Sequence, residues 1–581
     1  MNISVSMNEN EKILDAQFTD CADILKREMN LGEQSSRKAV LYYVETAADN
    51  MTLQDSVIGR MITCLWEMPS EEQTAYLREN ALGVTDAKLL KTTEEAADGV
   101  LAGDVILLID GLDSAVKIKA AGFPGMGVNQ AVNETVIRGS NEGFTESVKS
   151  STALVRKRIR NTDLKVQEVT VGKETKTTVA VLYMESLVRP QVLADVKERL
   201  SELTPEKNRE DSPEDEENSG ENRKDPSEDE RNSRENNEES LEDERNSEEN
   251  REESLENEKN SEENRKEAND RVRLQKTGEP RKNNENSSES KKRKQAAARV
   301  GVLDSGIIEQ LTEQFPLSPF PQYQTTERPD RAAIALLQGK ILILSDNSPV
   351  GLLLPANFAS FFHTSDDYYS RTAVVALERI LRFLAAFLAV GLPGLYLSVI
   401  TYHQEILPTA FLFRLAEARA GIPVPALVEV LMMELAFELL REAGVRVPGA
   451  MGNAIGIVGG LIVGDGAVSA GLVSPIIVIV VALTALASFA IPNEEMASAF
   501  RVLKYVLIVL AALFGLYGWF LGLFLILVHL SKLGSYHFPY LYPIVSAELN
   551  GDADQKDLWI RFPLRWLVRK SFYSQKSVHR R

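Results

Sequence analysis

The sequence predicts a soluble α/β N-terminal region of two subdomains and a C-terminal all-α membrane domain with several spans. Three runs in the C-terminal part are almost continuously apolar: Phe383–Ile400, Leu472–Ile491 and Tyr505–Leu530. At 1.5 Å per helical residue, roughly 20 such residues cross the hydrocarbon layer. Before them, short apolar runs alternate with helical periods, which favours small sheets covered by helices.

The overall charge says little about partners, because one segment carries most of it. The 581 residues have a net charge of −19, and residues 201–298 alone hold 32 acidic against 20 basic side chains. A chain of this length has room for two or three domains. No basic face interleaved with aromatic residues occurs in the folded parts, so nucleic acid is not expected as a partner.

The chain has two cysteines and five histidines, too few for a zinc ribbon or a disulfide framework. We therefore predict no metal and no cofactor, and we interpret Cys21 as a small buried apolar residue. The first segment, 1–12, is polar and predicted to be disordered. It lacks an apolar h-region, so we expect no cleaved signal and a cytoplasmic soluble region.

The α/β region is predicted over residues 13–200 and 299–365. Leu14, Phe18, Cys21 and Leu25 have a helical spacing that stops near Gly32. Apolar runs predict strands at 39–44, 105–110, 115–120, 178–184, 340–344 and 350–354, and helices at 53–66, 192–200 and 300–314. The words AVLYYVE, from residue 39, and AVLYME, from residue 180, are near copies, which indicates two related units.

Residues 201–298 interrupt the second unit with an acidic repeat of 14 residues. The repeat shows as Asn-Ser pairs at 218, 232, 246 and 260. A segment with so few large apolar residues cannot offset the chain entropy of folding, roughly 1–2 kcal/mol per residue. We expect a disordered insertion; the alternative is a solvated helix held by Glu–Lys/Arg pairs at helical spacing.

Several motifs, in order, resemble the A subunit of the endospore germinant receptors, the GerA family. They cover nearly the whole chain outside the insertion: DG at 110–111, EGFTE at 142–146, SPFPQ at 318–322, TERPD at 326–330, DDYY at 366–369, LPGLY at 392–396 and FELLREAG at 437–444. The resemblance implies a protein of the spore inner membrane that works with a nutrient-binding B subunit and a lipoprotein C subunit. It also implies that A subunits form a homo-oligomer in the lipid bilayer, with a nutrient-gated ion pathway.

An enzyme is the least supported class, since the chain has no Walker loop, His-x-x-x-His pair or nucleophile elbow. Arg328-Pro329 is interpreted as fixing a turn and an ion pair. The alternative function is a secondary transporter of a small solute or ion, which would need an inverted repeat of broken helices. A ring of copies would favour the channel, and a stable monomer the carrier.

Candidate groups for the ion pathway or gate are Glu429, Glu434, Glu438, Arg441 and Asp465. Glu434 and Glu438 are one helical turn apart and Arg441 lies three residues on, so the three share a stripe. Ionisable groups in a membrane cost from about 2.5 kcal/mol each and are retained where they face water, each other or an ion. The alternatives are a helix lying in the interface with solvated pairs, and an Asp465 that merely ends a helix at a glycine-rich turn.

Two further features concern the geometry of the helices. Glycines at every fourth position predict a close helix–helix seam: Gly452, Gly456, Gly460 and Gly464. Pro393 lies inside the first span, where proline removes a backbone hydrogen bond and kinks a helix. It is interpreted as a static bend or as a gating hinge.

The topology follows from charge. The tail, 546–581, is basic, so the positive-inside rule places it in the cytoplasm with the N-terminus. The number of crossings within the membrane domain, 366–545, is then even. Four strong runs are predicted at 383–402, 450–470, 472–491 and 505–530, and two shorter ones, 404–418 and 424–443, form a further hairpin or lie at the interface.

Overall fold

A computed structural model gives the architecture of the chain. It describes residues 1–31, 37–48, 72, 87–123, 130–131, 134–136, 138–204, 292–297, 299–446, 464–545, 560–561 and 573–574. The chain divides into two compact units. The larger comprises residues 1–171, 175–201 and 302–581, and the smaller comprises 172–174 and 202–301. Within the smaller unit, Glu202 and Arg293 form an ion pair of 3.1 Å.

The α/β region contains two antiparallel sheets of five strands each. The first is built from α1 (Met7–Gln17), β1 (Ile24–Leu31), β2 (Arg37–Val44), β3 (Ala87–Leu90), α2 (Thr93–Leu101), β4 (Val105–Ile109) and β5 (Ala115–Ile118). Its strand order is β1-β2-β4-β5-β3. The predicted helix at 53–66 lies outside the described residues.

The second sheet follows the same plan. Its elements are α3 (Val148–Arg158), β6 (Leu164–Val171), β7 (Thr177–Met184), α4 (Pro190–Glu202), α5 (Ser305–Thr312), β8 (Gln324–Thr326), α6 (Pro329–Leu337), β9 (Ile341–Ser345) and β10 (Gly351–Leu354). The strand order, β6-β7-β9-β10-β8, repeats that of the first sheet. Helices α1 and α2 contact each other, as do their counterparts α3 and α6.

The two α/β subdomains also share an equivalent hydrogen bond and an equivalent glycine. Asp110 accepts from the amide at the start of α1 at 3.2 Å, and Asp346 accepts from the amide at the start of α3 at 2.9 Å. Each aspartate satisfies an otherwise free donor at a helix N-terminus. Gly103 and Gly339, which follow α2 and α6, both have left-handed backbone, with φ of 91° and 92°. The prediction of two related units is therefore confirmed: they are copies of one module.

One sequence prediction in the first copy is wrong. The helical period through Leu25 does not continue past α1, which ends at Gln17, and residues 24–31 form β1. Asp20, with φ of 59°, turns the chain between them. Leu14 and Cys21 pack against one face of the sheet, whereas Leu25 packs against the other. The apolar residues that appeared to follow one helical period therefore belong to two different elements, α1 and β1. In addition, α1 begins at Met7, so helix extends into the segment predicted to be disordered.

The C-terminal region is helical. Its elements are α7 (Asp366–Tyr369), α8 (Thr372–Tyr402), α9 (Thr409–Arg419), α10 (Ala426–Arg446), α11 (Pro475–Phe489) and α12 (Glu494–Lys532), followed by a two-stranded hairpin, β11 (Gly534–Ser535) and β12 (Phe538–Pro539). Among the described residues, α8 and α12 are long and apolar enough to cross a membrane. Helix α11, with 15 residues, spans about 22 Å. Most of the predicted run at 450–470 lies outside the described residues.

An aromatic cluster joins the second copy to the helices. Phe320, Phe361 and Phe362 from the α/β side pack with Phe500 of α12 and with Tyr540. The ring centroids of Phe320 and Phe500 are 6.0 Å apart in an edge-to-face arrangement. The Tyr540 hydroxyl donates to the carbonyl of Pro321 at 2.8 Å. The SPFPQ motif thus fixes the α/β region to the helices.

Candidate functional site

Three ion pairs connect α10 to α12 and form a ladder. Glu434 pairs with Lys504 at 2.5 Å, Glu438 with Arg501 at 2.8 Å, and Arg441 with Glu494 at 3.4 Å. Residue numbers rise along one helix as they fall along the other, so the contacting segments are antiparallel. The predicted stripe of Glu434, Glu438 and Arg441 does share one face.

Burial differs along the ladder. The side chains of Glu434 and Lys504 are 3% and 7% exposed, whereas Glu494 at the other end is 73% exposed. A buried ion pair carries a large desolvation cost and is much less stable once one partner is removed. The ladder thus runs from an accessible end to a desolvated one.

Glu429 does not belong to the ladder. Its carboxylate, which is fully buried, accepts a short hydrogen bond from the amide of Ser474 and lies 3.5 Å from Arg419. Ser474 is the N-cap of α11, so a negative charge stands at the positive end of that helix. This geometry gives Glu429 an anchoring contact between α10 and α11.

The ladder forms part of the wall of a cavity of about 1320 Å³. The remaining walls come from the second copy, at Thr325, Thr326 and Arg331, and from α11. Apolar side chains such as Phe437 and Phe489 lie beside the charged ones. Charged groups of the helices and of the α/β region therefore face one common space.

Of the predicted glycine seam and Asp465, only Gly464 and Asp465 lie within the described residues. Gly452, Gly456 and Gly460 fall outside the described residues. A Cβ at Gly464 would lie 3.3 Å from a side-chain carbon of Val478 in α11, so this glycine closely approaches that helix. Asp465 is exposed, and no ion pair joins it to another described residue. The described residues also include no group of three or more His, Cys, Asp or Glu side chains able to hold a metal ion.

Pro393 is buried within α8, which continues through it. The two glycines beside it face Trp519 of α12: a Cβ at Gly391 or Gly394 would lie 3.2 Å or 3.1 Å from that indole. The Trp519 Nε1 donates to the carbonyl of Gly391 at 2.9 Å, two residues before Pro393. Sequence reasoning did not single out this contact between α8 and α12.

The clearest backbone break lies at Gly515 in α12, a residue that the sequence did not single out. Its φ of 61° and ψ of −142° are non-helical and separate α12 into two helices. A Cβ there would lie 3.0 Å from His403 and from Tyr402. The Tyr402 hydroxyl donates to the carbonyl of Ala512 at 2.7 Å, which satisfies an acceptor near the break.

We predict that Gly515→Ala destabilises the protein by about 1–3 kcal/mol, because the backbone is strained for any residue with a Cβ and the site is crowded. Gly466→Ala is the matched control: a Cβ there meets nothing within 4 Å. Thermal unfolding of both variants in detergent measures the difference. Equal melting temperatures for the two variants would contradict the prediction.

The TERPD and DDYY motifs form one buried network between the second copy and the helices. Arg328 binds both oxygens of Asp330, at 3.1 and 2.8 Å, and the Tyr369 hydroxyl donates to Asp330 at 2.8 Å. Burial opposes the charge, but Arg328 and Tyr369 hold the pKa of Asp330 below its usual range. Pro329 is the first residue of α6. The predicted ion pair of Arg328 is therefore present, whereas the segment predicted as a turn is the N-terminus of α6.

A second network lies at the start of α8. Asp367 is fully buried and pairs with Arg379 and Arg382, both at 2.9 Å. Burial works against its charge, yet the guanidinium groups of Arg382 and Arg379 lower the pKa of Asp367. The two motifs thus have structural roles at the junction with the helices.

Carboxyl groups near the cavity make the stability depend on pH. Burial, and then the charge of Glu495, raise the pKa of Glu309 from 4.5 to about 9; burial raises that of Glu313 to about 7. At these two groups the folded state binds more protons than the unfolded state, so their contribution to stability is greatest below pH 4.5 and falls as pH rises through 7 and 9.

We predict that Glu309→Gln reduces this loss of stability between pH 5 and pH 9. The loss is measured as the change in the urea midpoint of unfolding of the full chain at pH 5, 7 and 9, with proteolysis as the probe of unfolding. Glu198→Gln, on the exposed face of α4, is the control. An unchanged pH dependence in Glu309→Gln would refute the assignment.

The chain is similar to the family model described as Bacillus/Clostridium GerA spore germination protein, over residues 12–211 and 282–572. The break between the matched ranges falls inside the acidic repeat. The match covers well over half of the chain.

Relatives extend the similarity over nearly the full length. The chain is 31% identical to the uncharacterized membrane protein YfkQ of Bacillus subtilis (strain 168), over 98% of this chain and 91% of that protein. It is 30% identical to spore germination protein KA and to spore germination protein A1 of the same strain. The alignment with protein KA covers 95% of this chain and 84% of that protein. The alignment with protein A1 covers 90% of this chain and 88% of that protein.

One solved structure that aligns with this chain is the N-terminal domain of the A subunit of the Bacillus megaterium spore germinant receptor GerK3. It aligns with a TM-score of 0.36 and 19% identity, over 62% of this chain and 98% of that chain. The two long apolar helices and the relatives together identify a membrane protein. The family match agrees with the expectation that the protein is not an enzyme. The chain therefore belongs to the GerA family of spore germination proteins, the germinant-receptor A-subunit family that its motifs resemble.

Proposed function

We propose that the chain is the membrane subunit of a nutrient-germinant receptor that triggers spore germination as part of an oligomeric, nutrient-gated ion channel. Membership of the GerA family supports the role in germination. The observation that carries the channel proposal is the ion-pair ladder between α10 and α12, which lines a large cavity between the helices and the second α/β copy.

The physical argument concerns the cost of these charges. Inserting an ionisable side chain into a membrane costs about 2.5 kcal/mol or more. Such groups are therefore retained where they contact water, each other or an ion. Arg501 and Lys504 lie in α12 directly before its apolar run, Tyr505–Leu530, and meet the acidic stripe of α10. With few spans in each chain, several copies are needed to enclose a water-filled passage.

Each candidate residue then has a proposed role. Glu434, Glu438 and Arg441 form a polar wall of the passage or its gate, and Glu429 anchors α11 to α10. Asp465, which is exposed, is the proposed ion-facing group. The glycine seam, which ends at Gly464, is the proposed contact between helices, within one subunit or between neighbouring subunits. Pro393, together with the break in α12, is the proposed hinge.

The channel and the transporter differ in assembly and in transport kinetics. We expect the purified protein to form a ring of several copies in detergent, measured by mass photometry. Reconstituted with the B and C partner subunits in liposomes, it is expected to release ions when nutrient is added. A stable monomer that exchanges solute at a saturable rate would favour the secondary transporter instead.

We predict that Glu438→Gln or Arg441→Gln impairs assembly or germination, because each change leaves an ion-pair partner uncompensated. Nutrient-induced germination and protein level in spores measure the effect. Glu417→Gln, whose pair with Arg414 is exposed, is the matched control. Normal germination and normal protein level in both ladder variants would contradict the proposed role.

The location and boundaries are also proposed. We place the protein in the spore inner membrane, with both termini in the cytoplasm and four or six crossings between residues 366 and 545. The even number follows from the basic tail. Epitope tags at either end, probed by protease in oriented vesicles, test this; protection of only one tag would show an odd number of crossings.

A further inference from the structure

Both ends of α12 reach one aromatic residue on the α/β side. The ring centroid of Phe320 lies 6.0 Å from that of Phe500, near the start of the helix, and 6.0 Å from that of His529, near its end. In a continuous helix Phe500 and His529 would lie about 43 Å apart along the axis. In addition, Thr325 of β8 donates to Glu495, in the first turn of α12, at 3.3 Å. The chain of α12 therefore returns to the side from which it begins.

The return occurs at Gly515, where the backbone is non-helical, and the two halves of α12 pack against each other. A Cβ at Gly518 would overlap the carbonyl oxygen of Leu510, and a Cβ at Gly522 would lie 3.1 Å from Leu510 and 3.3 Å from Leu507. Residue numbers rise along one half as they fall along the other, so the halves are antiparallel. Glycines one turn apart let two helix backbones approach this closely.

The two halves of α12, here called its arms, are each long enough to cross a bilayer. The first arm, residues 494–514, extends about 31 Å, and the second arm, residues 516–532, about 25 Å at 1.5 Å per residue. A transmembrane helix needs roughly 17 to 25 residues. Within the first arm, Arg501 and Lys504 are paired with acids of α10. The second arm has no Asp, Glu, Lys or Arg before Lys532.

The turn between the arms lies level with the far end of α8. A Cβ at Gly515 would lie 3.0 Å from the Cβ of Tyr402, the last residue of α8. Three residues further on, Glu405 is exposed. A carboxylate costs about 2.5 kcal/mol or more in the hydrocarbon layer, so this level is suited to headgroups or water. Helix α8 begins on the α/β side, where Phe383 stacks on Phe362 at 4.5 Å.

We propose that α12 is a hairpin that crosses the membrane twice and places its tip in the headgroup layer of the leaflet remote from the α/β region. The tip presents Phe514 and Tyr517, which are 55% and 72% exposed. Tyrosine at the end of a membrane helix suits the headgroup layer, because its ring is apolar and its hydroxyl is polar. The run at 505–530, predicted as one crossing, then belongs to two. This inference requires a bilayer around the helices and is independent of ion conduction.

The test is site-specific labelling of the full-length chain in sealed membrane vesicles, inside-out and right-side-out, with a membrane-impermeant stilbene disulfonate maleimide. Both native cysteines are first replaced by alanine. Three single variants follow: Tyr517→Cys at the tip, Ser531→Cys at the end of the second arm, and Lys149→Cys as the reference for the α/β side. All three positions are exposed, and the amount of each variant in the membrane is measured in parallel.

We expect Ser531→Cys and Lys149→Cys to react from the same side, and Tyr517→Cys to react about tenfold faster from the opposite side. Phe524→Cys, exposed midway along the second arm, is the matched control. It faces hydrocarbon and should react from neither side before detergent is added. The proposal is overturned if Tyr517→Cys fails to react from the remote side, since the arms would then enter the bilayer without crossing it. Labelling of Ser531→Cys on the side opposite to Lys149→Cys would overturn it as well, because α12 would then cross once.

Discussion

Arg156→Met is expected to destabilise the α/β region by about 3–5 kcal/mol, because it leaves a buried carboxylate without its cation. Arg156 is fully buried and joins the two copies. Its Nε and Nη2 bind the two oxygens of Asp23 at 2.7 and 2.9 Å, and it donates to the carbonyls of Asn161 and Leu164 at 2.9 and 3.0 Å. Removal of the guanidinium leaves Asp23 and two carbonyls, of which that of Leu164 is buried, without these donors.

The full chain in detergent, unfolded in urea and followed by pulse proteolysis, measures the loss. Lys149→Met is the matched control, because the pair of Lys149 with Glu45, at 2.6 Å, joins the same two copies but is half exposed. Exposed pairs contribute about 0–1 kcal/mol. The double variant Asp23→Leu with Arg156→Met is expected to recover part of the stability. Equal losses in Arg156→Met and Lys149→Met would show that burial of the pair is not decisive.

Lys504→Met is expected to have the second large effect, about 3–5 kcal/mol in stability, together with loss of the germination response. The Glu434 carboxylate would then lie in an apolar helical region without its cation, and one of its oxygens already has no hydrogen-bond partner. Detergent thermal stability and nutrient-induced germination of the mutant spores give the two readouts.

The matched control is Arg414→Met, which removes a cation from a pair that is 83% and 75% exposed. It should leave both readouts nearly unchanged. Glu434→Gln combined with Lys504→Met should restore stability, because no buried charge is left alone. If the double variant is stable but fails to germinate, the pair acts in the passage as well as in the fold. Full stability and germination of Lys504→Met would contradict both roles.

The α/β plan and the long helices could be predicted because their signals are local. Runs of five or six apolar residues showed the buried strands, and the near-identical words that begin at Ala39 and Ala180 showed the duplication. The spacing of Glu434, Glu438 and Arg441 placed them correctly on one face. Where two elements bury side chains in succession, as at Leu14 and Leu25, a period counted along the chain merges them.

The partners of the acidic stripe could not be read from spacing, since Lys504 lies 70 residues from Glu434 along the chain. A signal was nevertheless present: Arg501 and Lys504, about one turn apart, lie directly before the apolar run Tyr505–Leu530 and match the spacing of the acids. The break at Gly515 had no comparable signal, because the residues that lie against it, Tyr402 at the end of α8 and His403 after it, are far away along the chain.

The duplicated module explains where the chain can grow. The acidic repeat lies in the stretch from residue 185 to 323, between β7 and β8, and its counterpart in the first copy runs from 45 to 86, between β2 and β3. The later connection is about three times as long, yet both sheets keep the same strand neighbours. Lengthening a loop threefold costs only about 1 kcal/mol in closure entropy. Tandem expansion of a 14-residue unit at this position therefore changes the length and charge of the protein at little thermodynamic cost to its scaffold.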